Sequence, residues 1–216
     1  DIVGFGCYDW NANLSLAAAE LLKRNHPGCL TVIGGANVDA QPKDNKQFLQ
    51  ENPQIDFLVY GDGEYPFARI VRLFLKHQNE HDPIMAMKKT PIDGTRTLVA
   101  DEIVMGSPTD SVMDLNVIPS PYLTGLFDRL LENSKLMPII QNVRGCPYLC
   151  RYCVSGSQSS KVRHFSYERL TAEIDYLRIN AKNRILRLSD DNFGIIEHDI
   201  RVANFIRNMF DTHKYP

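Results

Sequence analysis

No stretch of this chain approaches the roughly 20 consecutive apolar residues that cross a bilayer, and no basic stretch leads into a signal-type apolar core at its start. A cytoplasmic location is therefore expected. Neither sign of charge prevails: 24 Lys and Arg against 26 Asp and Glu leave a formal net charge of -2. Without a long-range field, nothing in the totals steers the chain toward nucleic acid or an anionic membrane. Tryptophan occurs once, and cysteine five times, an odd number that fits poorly with a secreted disulfide framework. Reduced thiols are the better assumption. Internal repeats and low-complexity tracts are also missing. What remains is an ordinary soluble, globular composition, 44% hydrophobic and 23% charged over 216 residues, enough for one large domain or two small ones. The chain opens on the apolar "DIVGFG" without an initiator Met and stops just after a helical pattern, so a piece of something longer is expected.

From residue 1 to about 78, short apolar runs alternate with amphipathic helices. Ile2 to Phe5, Leu30 to Ile33 and Phe57 to Tyr60 read as strands covered on both faces. The first helix carries Leu14, Ala17, Ala18, Leu21 and Leu22 on one face, with Asn11 or Asn13 as N-cap and Pro27-Gly28 beyond its end. A weaker helix covers Lys43 to Glu51, and a stronger one, opened by "GDGEYP", places Phe67, Ile70, Val71, Phe74 and Leu75 on a stripe. Strands alternating with helices imply parallel pairing in an open, Rossmann-like sheet, whose ligands sit at the carboxyl ends of the strands. Beyond residue 80, "MAMKK", "TRTLVA" and "EIVMG" suggest short edge strands or a hairpin, and the proline-rich residues 106 to 122 read as a linker. A helix with Leu123, Leu126, Phe127, Leu130 and Leu131 on one stripe comes next, then a strand from Met137 to Gln141. After a loop and a Ser-rich turn come a helix with Leu170, Ile174, Leu177 and Ala181 inward, a strand in "RILRLSDD", and a helix carrying Val202, Phe205, Ile206 and Met209.

The loop after the Met137 strand, "QNVRGCPYLCRYCVSG", places Cys146, Cys150 and Cys153 within eight positions. Three readings compete. As core residues they would share one helix face, yet Gly145 and Pro147 break a helix there. A closed zinc site needs four ligands, and the nearest histidine is His164. A disulfide would leave one thiol over and require an oxidising compartment. An iron-sulfur cubane takes one Cys per iron, so three thiolates would leave one iron open, as in a catalytic metal site.

The spacing Cys-x-x-x-Cys-x-aromatic-Cys, here Cys146, Cys150, Tyr152 and Cys153 after the first strand of a βα unit, resembles the signature of the radical S-adenosylmethionine (radical SAM) superfamily. The resemblance implies a 4Fe-4S cluster held by these three cysteines. Its open iron chelates S-adenosylmethionine and, once reduced, cleaves it to methionine and a 5'-deoxyadenosyl radical. The resemblance also implies that Tyr152 lies near the adenine, and that the "RLSDDNFG" strand end, with Ser189, Asp190 and Asp191, helps hold the ammonium of S-adenosylmethionine. A turn-capping role is the ordinary alternative for these carboxylates. Arg163 and His164 read as a solvated loop. A one-electron donor such as a flavodoxin or ferredoxin is the implied partner, alongside an unidentified small-molecule or peptide substrate.

Upstream, Trp10-Asn11, Gly34-Gly35 and Gly61-Asp62-Gly63-Glu64 come after three successive strands. In this order they resemble the cobalamin (B12)-binding domain that precedes many radical SAM cores, whose third loop reads Gly-Glu-Gly-Glu. Trp10, Gly34, Gly35, Gly61 and Glu64 are thereby the implied cofactor residues. Small residues let backbone approach a flat corrin. An Asp-x-His-x-x-Gly motif is missing, so a bound cobalt would have no imidazole from this sequence. Gly34 and Gly35 could equally serve only a tight turn, and Trp10 could simply cover the sheet end.

The expected organisation is a B12-binding-like α/β domain over residues 1-105, N-terminally incomplete, a linker and helix over 106-134, and the first βα units of a partial TIM-type barrel over 135-216, C-terminally incomplete. The expected function is radical SAM chemistry, with cobalamin-dependent methyl transfer as the foremost outcome. The alternatives are a radical SAM cyclase or methylthiotransferase with a vestigial B12 domain, and a non-catalytic iron-sulfur or zinc-binding module.

Overall fold

The computed structural model describes residues 1-39, 45-108, 112-148, 150-153 and 161-216. The chain divides into two compact units, Asp1–Val112 and Met113–Pro216.

The first unit is built on a five-stranded sheet in the order β1-β2-β3-β4-β5. Strands β1 (Ile2–Gly6), β2 (Leu30–Gly34) and β3 (Phe57–Val59) are parallel, with Gly6 level with Gly34 and Gly34 level with Val59. The sheet is mixed rather than wholly parallel, because β4 (Thr95–Val99) and β5 (Glu102–Met105) run antiparallel as an edge hairpin. Ala100 and Asp101 turn that hairpin with φ of +46° and +67°, the backbone twist that two-residue loops favour.

Helices pack on both faces, and strand alternation decides which residue meets which. Ile33 and Leu58 turn toward Cys7, Ala19, Val38, Leu49 and Ile55, the side covered by α1 (Ala12–Asn25), α2 (Ala36–Asp39) and α3 (Asn45–Glu51). Leu30, Val32, Phe57 and Val59 turn the other way, toward Ile70, Met87 and Ile92, under α4 (Glu64–His77) and α5 (Pro83–Lys88). Each buried Val, Leu, Ile, Phe or Met among them contributes about 1.5–3 kcal/mol. The "MAMKK" segment is thus helix rather than strand, fixed by Asp82, whose carboxylate accepts the Met85 amide at 3.0 Å, with Pro83 at the first turn.

Two helix faces differ from those the apolar spacing predicts. On α1 the fully inward positions are Ser15 and Ala19, whereas Leu14 and Leu21 are 73% and 61% exposed. The Ser15 hydroxyl donates to the Gly6 carbonyl at 2.7 Å, so a polar residue sits on the buried face at no cost. On α4 the buried positions are Pro66 and Ile70, supported by Leu73 and Phe74, while Leu75 points to solvent.

In the second unit, residues 121-127 form turns and only Asp128–Leu131 (α6) is helical, with Leu123, Leu126 and Leu130 exposed. The single helix read from the leucine stripe is therefore replaced by a hydrogen-bonded turn, in which Ser120 accepts the Leu123 and Thr124 donors. Leu115, at the start of a 3-10 turn over Leu115–Val117, is fully buried. Strand β6 (Ile139–Ile140) pairs in parallel with β9 (Arg187–Leu188), and α7 (Tyr167–Asn180) lies between them in the chain. The buried stripe of α7 is Leu170, Ile174 and Leu177, continued by Ala181, as its spacing predicts. Helix α8 (Glu197–His213) comes after β9 and buries Val202 and Met209. Between β6 and α7, β7 (Val143–Arg144) pairs antiparallel with β8 (Arg163–His164) and closes the base of the cysteine loop.

Candidate functional site

In the second unit, β6 and β9 are parallel neighbours, so the segments leaving their carboxyl ends lie at the same sheet edge. After β6 comes the cysteine loop; after β9 comes Ser189-Asp190-Asp191-Asn192. Backbone and side chains tie the two together. The Ser189 amide donates to the Ile140 carbonyl at 2.9 Å, and its hydroxyl donates to the same oxygen at 3.2 Å. Asp190 Oδ1 accepts the amides of Asn142 and Val143 at 2.7 and 2.9 Å. Its other oxygen, Oδ2, is buried and has no hydrogen-bond partner among the described residues. Burial raises the Asp190 pKa, the backbone donors Val143 and Asn142 and the Asn142 side chain pull it back in part, and nearby Asp199 adds to the rise. Asp191 is exposed.

Asp199, in the first turn of α8, is fully buried and accepts from four donors. Oδ1 takes the Asn142 side-chain amide at 2.6 Å, and Oδ2 takes the backbone N–H groups of Gly194, Ile195 and Ile196 at 2.9, 3.0 and 3.2 Å. The Ile196 contact satisfies an otherwise orphaned donor at the N-terminus of α8 and places a negative charge where the helix dipole favours it. The turn between β9 and α8 is thus anchored at both ends.

All five cysteines are free thiols. Cys146 is buried, whereas Cys150 and Cys153 are partly exposed and share a turn in which the Cys153 amide donates to the Cys150 carbonyl at 3.1 Å. Asn192 Nδ2 lies 2.9 Å from Cys146 Sγ and donates to it. Tyr152 is 91% exposed. Among the described residues, no group of three or more His, Cys, Asp or Glu side chains is gathered into a metal site. The donor set nevertheless suits an iron-sulfur cluster: three soft sulfur ligands on one loop, one already receiving an N–H, beside a buried carboxylate oxygen with an unmet demand for a donor. His164 and His198 stack with ring centroids 4.3 Å apart. Burial first, and the neighbouring His164 second, lower the His198 pKa.

In the first unit the sequence-predicted residues gather at the carboxyl edge of the parallel strands. Cys7, just past β1, donates its amide to the Gly34 carbonyl at 2.7 Å, and its own carbonyl accepts the Asn37 amide at 3.2 Å. Gly35 has φ of +122°, and a Cβ there would lie 2.7 Å from the Cys7 carbonyl oxygen, so that position admits glycine alone. At Gly34 a Cβ would come within 3.2 Å of the Val59 carbonyl, whereas at Gly61, with φ of +71°, it would meet nothing within 4 Å. Glu64 opens α4 as the acidic residue of its first turn. Trp10 is 81% exposed and stacks on Tyr8, ring centroids 4.9 Å apart and planes 5° from parallel. Asn11 does not cap α1 with its side chain. Instead its Oδ1 accepts the Tyr8 amide at 2.8 Å and holds the aromatic pair's loop.

Asn192 lies in the strand-end loop with no motif that marks its contact to Cys146, and Tyr8, Asn142 and Asp199 belong to no site motif either. Tyr8 could have been found from its place two residues before Trp10. Asn142 and Asp199 stand 57 positions apart and carry no local signal.

No protein-family model matches the chain. It is 32% identical over 209 residues to the 2-(S-pantetheinyl)-carbapenam-3-carboxylate methyltransferase of Streptantibioticus cattleyicolor, covering 94% of this chain and 29% of that protein. It is 30% identical over 212 residues to the cobalamin-dependent radical SAM methyltransferase TokK of Streptomyces tokunonensis, with the same two coverages of 94% and 29%. The anaerobic magnesium-protoporphyrin IX monomethyl ester cyclase of Synechocystis is 27% identical over 172 residues, 79% of this chain. The chain thus spans less than a third of the length of the first two relatives.

Proposed function

We propose that this chain, which belongs to the radical SAM superfamily in its cobalamin-dependent branch, supplies the cobalamin-facing and cluster-binding parts of a methyltransferase. Residues 1-105 would form the B12-binding part, 106-134 the connection and 135-216 the start of a TIM-type radical SAM core. Two methyltransferases at 32% and 30% identity support the reaction class. The carrying observation is the loop itself: three free thiols spaced Cys-x-x-x-Cys-x-Tyr-Cys, closed at its base by β7 and β8 and set beside the β9 strand end.

In this reading Cys146, Cys150 and Cys153 hold three irons of a 4Fe-4S cluster. When bound, the cluster would deliver one electron to S-adenosylmethionine and cobalamin would carry the methyl group to an unidentified substrate. Asp190 would do two jobs in this scheme: Oδ1 fixes the backbone entering the cysteine loop, and Oδ2 would accept from the ammonium of S-adenosylmethionine. An ammonium there would meet that oxygen's demand and offset the burial that raises the Asp190 pKa. Ser189 orients the turn through Ile140, Asp191 offers an exposed carboxylate, and Tyr152 is accessible to stack on the adenine. Trp10 with Tyr8, Gly34, Gly35, Gly61 and Glu64 would line the corrin side, the glycines admitting close backbone approach.

Anaerobic reconstitution with iron and sulfide tests the proposal. About four irons per chain are expected, with S-adenosylmethionine perturbing the spin signal of the reduced cluster. A single zinc with no such response would overturn it in favour of a loop-stapling metal module. For the first unit, cobalamin should stay with the protein through desalting, read from its visible absorption band; a band that washes out would leave a vestigial domain.

A further inference from the structure

Asn192 is the only described side chain whose amide donates to one of the three loop sulfurs, across the 2.9 Å from its Nδ2 to Cys146 Sγ. Its position is not left to a free loop. On one side of it, Ser189 and Asp190 are bonded to Ile140, Asn142 and Val143; on the other, Gly194, Ile195 and Ile196 are all held by Asp199. Asp199 in turn grips Asn142, so both anchors of the turn lead back to the strand that feeds the cysteine loop. Cys146 is the most buried of the three thiols, at 4% exposure, and a donor is strongest where water competes least.

We infer that Asn192 is a positioning residue that sets the reduction potential of the iron-sulfur cluster, through its N–H to the Cys146 sulfur; this rests on the reading of the three cysteines as cluster ligands. The physical reason is electrostatic. One-electron reduction adds negative charge that is spread over the cluster and its thiolates, and an N–H dipole aimed at a ligand sulfur stabilises the more negative state. Asn192 therefore raises the potential and makes the reduced cluster easier to reach for the electron donor. A residue that merely shaped the turn would leave the potential alone.

The test is a potentiometric titration of the reconstituted cluster, monitored by its electron spin signal, in the wild type and in Asn192→Leu, Asn192→Asp and Asn192→Ser. Leu keeps the size and removes the donor, Asp keeps the shape and replaces the donor with an acceptor, and Ser retains a hydroxyl donor. The potential should fall in the Leu variant, giving roughly a tenfold lower ratio of reduced to oxidised cluster at a fixed poise, about 59 mV for a one-electron couple. It should fall further in the Asp variant and recover in part with Ser, at equal iron content. Equal potentials in all four proteins would overturn the inference while leaving the cluster reading intact. Should the wild type take up no four-iron cluster, the cluster reading fails first and this inference with it. Should the Leu variant fail to hold iron, the Ser and Asp pair still decides, because an equal potential in those two overturns the inference.

Discussion

The side-chain amide of Asn142 donates to the Asp199 carboxylate at 2.6 Å, and neither residue is reached by solvent. The pair joins the end of β6 to the first turn of α8, two elements far apart in the chain. Because the other Asp199 oxygen accepts three backbone amides, replacing Asp199 by Ala orphans four donors at once. The expected loss is about 2–4 kcal/mol, measured by denaturant unfolding. Asp199→Asn should cost less. The Asn142 Oδ1 is buried without a partner among the described residues, so a flip of that amide lets it accept from the new side chain.

The pH dependence of Asp190 has a definite sign. Burial raises its folded pKa above the ordinary value for an aspartate, so the charged form is the disfavoured one. The resulting penalty is absent at pH values below the unfolded pKa, where the group is protonated in both states. It grows as pH rises and is complete above the folded pKa. Asp190→Asn keeps an oxygen for the Asn142 and Val143 amides and removes the charge. Its melting temperature relative to wild type should therefore improve from about pH 4 to about pH 7 in the ligand-free protein. The same variant should bind S-adenosylmethionine more weakly at neutral pH, measured by calorimetry on the reconstituted protein.

Single Cys→Ala changes at 146, 150 or 153 should each drop the iron content well below the wild type after reconstitution, while Cys7→Ala and Cys29→Ala should not. Cys7 and Cys29 are both buried in the first unit. Iron quantitation on the five variants separates ligand thiols from thiols that only pack.

Gly35→Ala should destabilise the first unit by roughly 2 kcal/mol or more, since the methyl meets the Cys7 carbonyl and the backbone is held at positive φ. Gly61→Ala, in open space, carries only the backbone strain and should cost about 1 kcal/mol. Thermal unfolding of the two variants side by side gives the comparison.

On α1, Leu21→Gln should change stability by no more than about 0.5 kcal/mol, whereas Ala19→Leu should cost about 1–3 kcal/mol by overfilling a fully buried position. Equilibrium unfolding of both would show which face of the helix meets the sheet.

That helix shows why some of the fold was legible and some was not. Strands β2 and β3 could be read because residues covered on both faces are nearly all apolar, as in Leu30 to Ile33 with only Thr31 between, whereas β1 carries a similar run although it is only partly buried. Helix α7 could be read because its apolar stripe is its buried stripe. In α1 Leu14 and Leu21 face outward, while the buried Ser15 and Ala19 and the core-packed Ala12 and Leu16 form the inward face, so a stripe drawn through Leu14, Ala17, Ala18, Leu21 and Leu22 selects the wrong side. The β4-β5 hairpin was legible as one of two readings, although its turn has no glycine to mark it: Ala100 and Asp101 take positive φ themselves. At the candidate site, Cys146, Cys150 and Cys153 announce themselves by spacing, and Ser189, Asp190 and Asp191 by their place at a strand end. The Asn192 contact and the Asn142–Asp199 pair are products of tertiary structure, visible only once β6 and β9 lie side by side.

Among the described residues β1 is the outermost strand of its sheet, with Gly4 and Gly6 exposed, and the helix after it shows Leu14 and Leu21 to water. A rim of this kind is a template onto which further chains can add. As a free 216-residue polypeptide the chain will therefore favour self-association along that margin at high concentration, and a lysine introduced at Leu14 or Leu21 should suppress it.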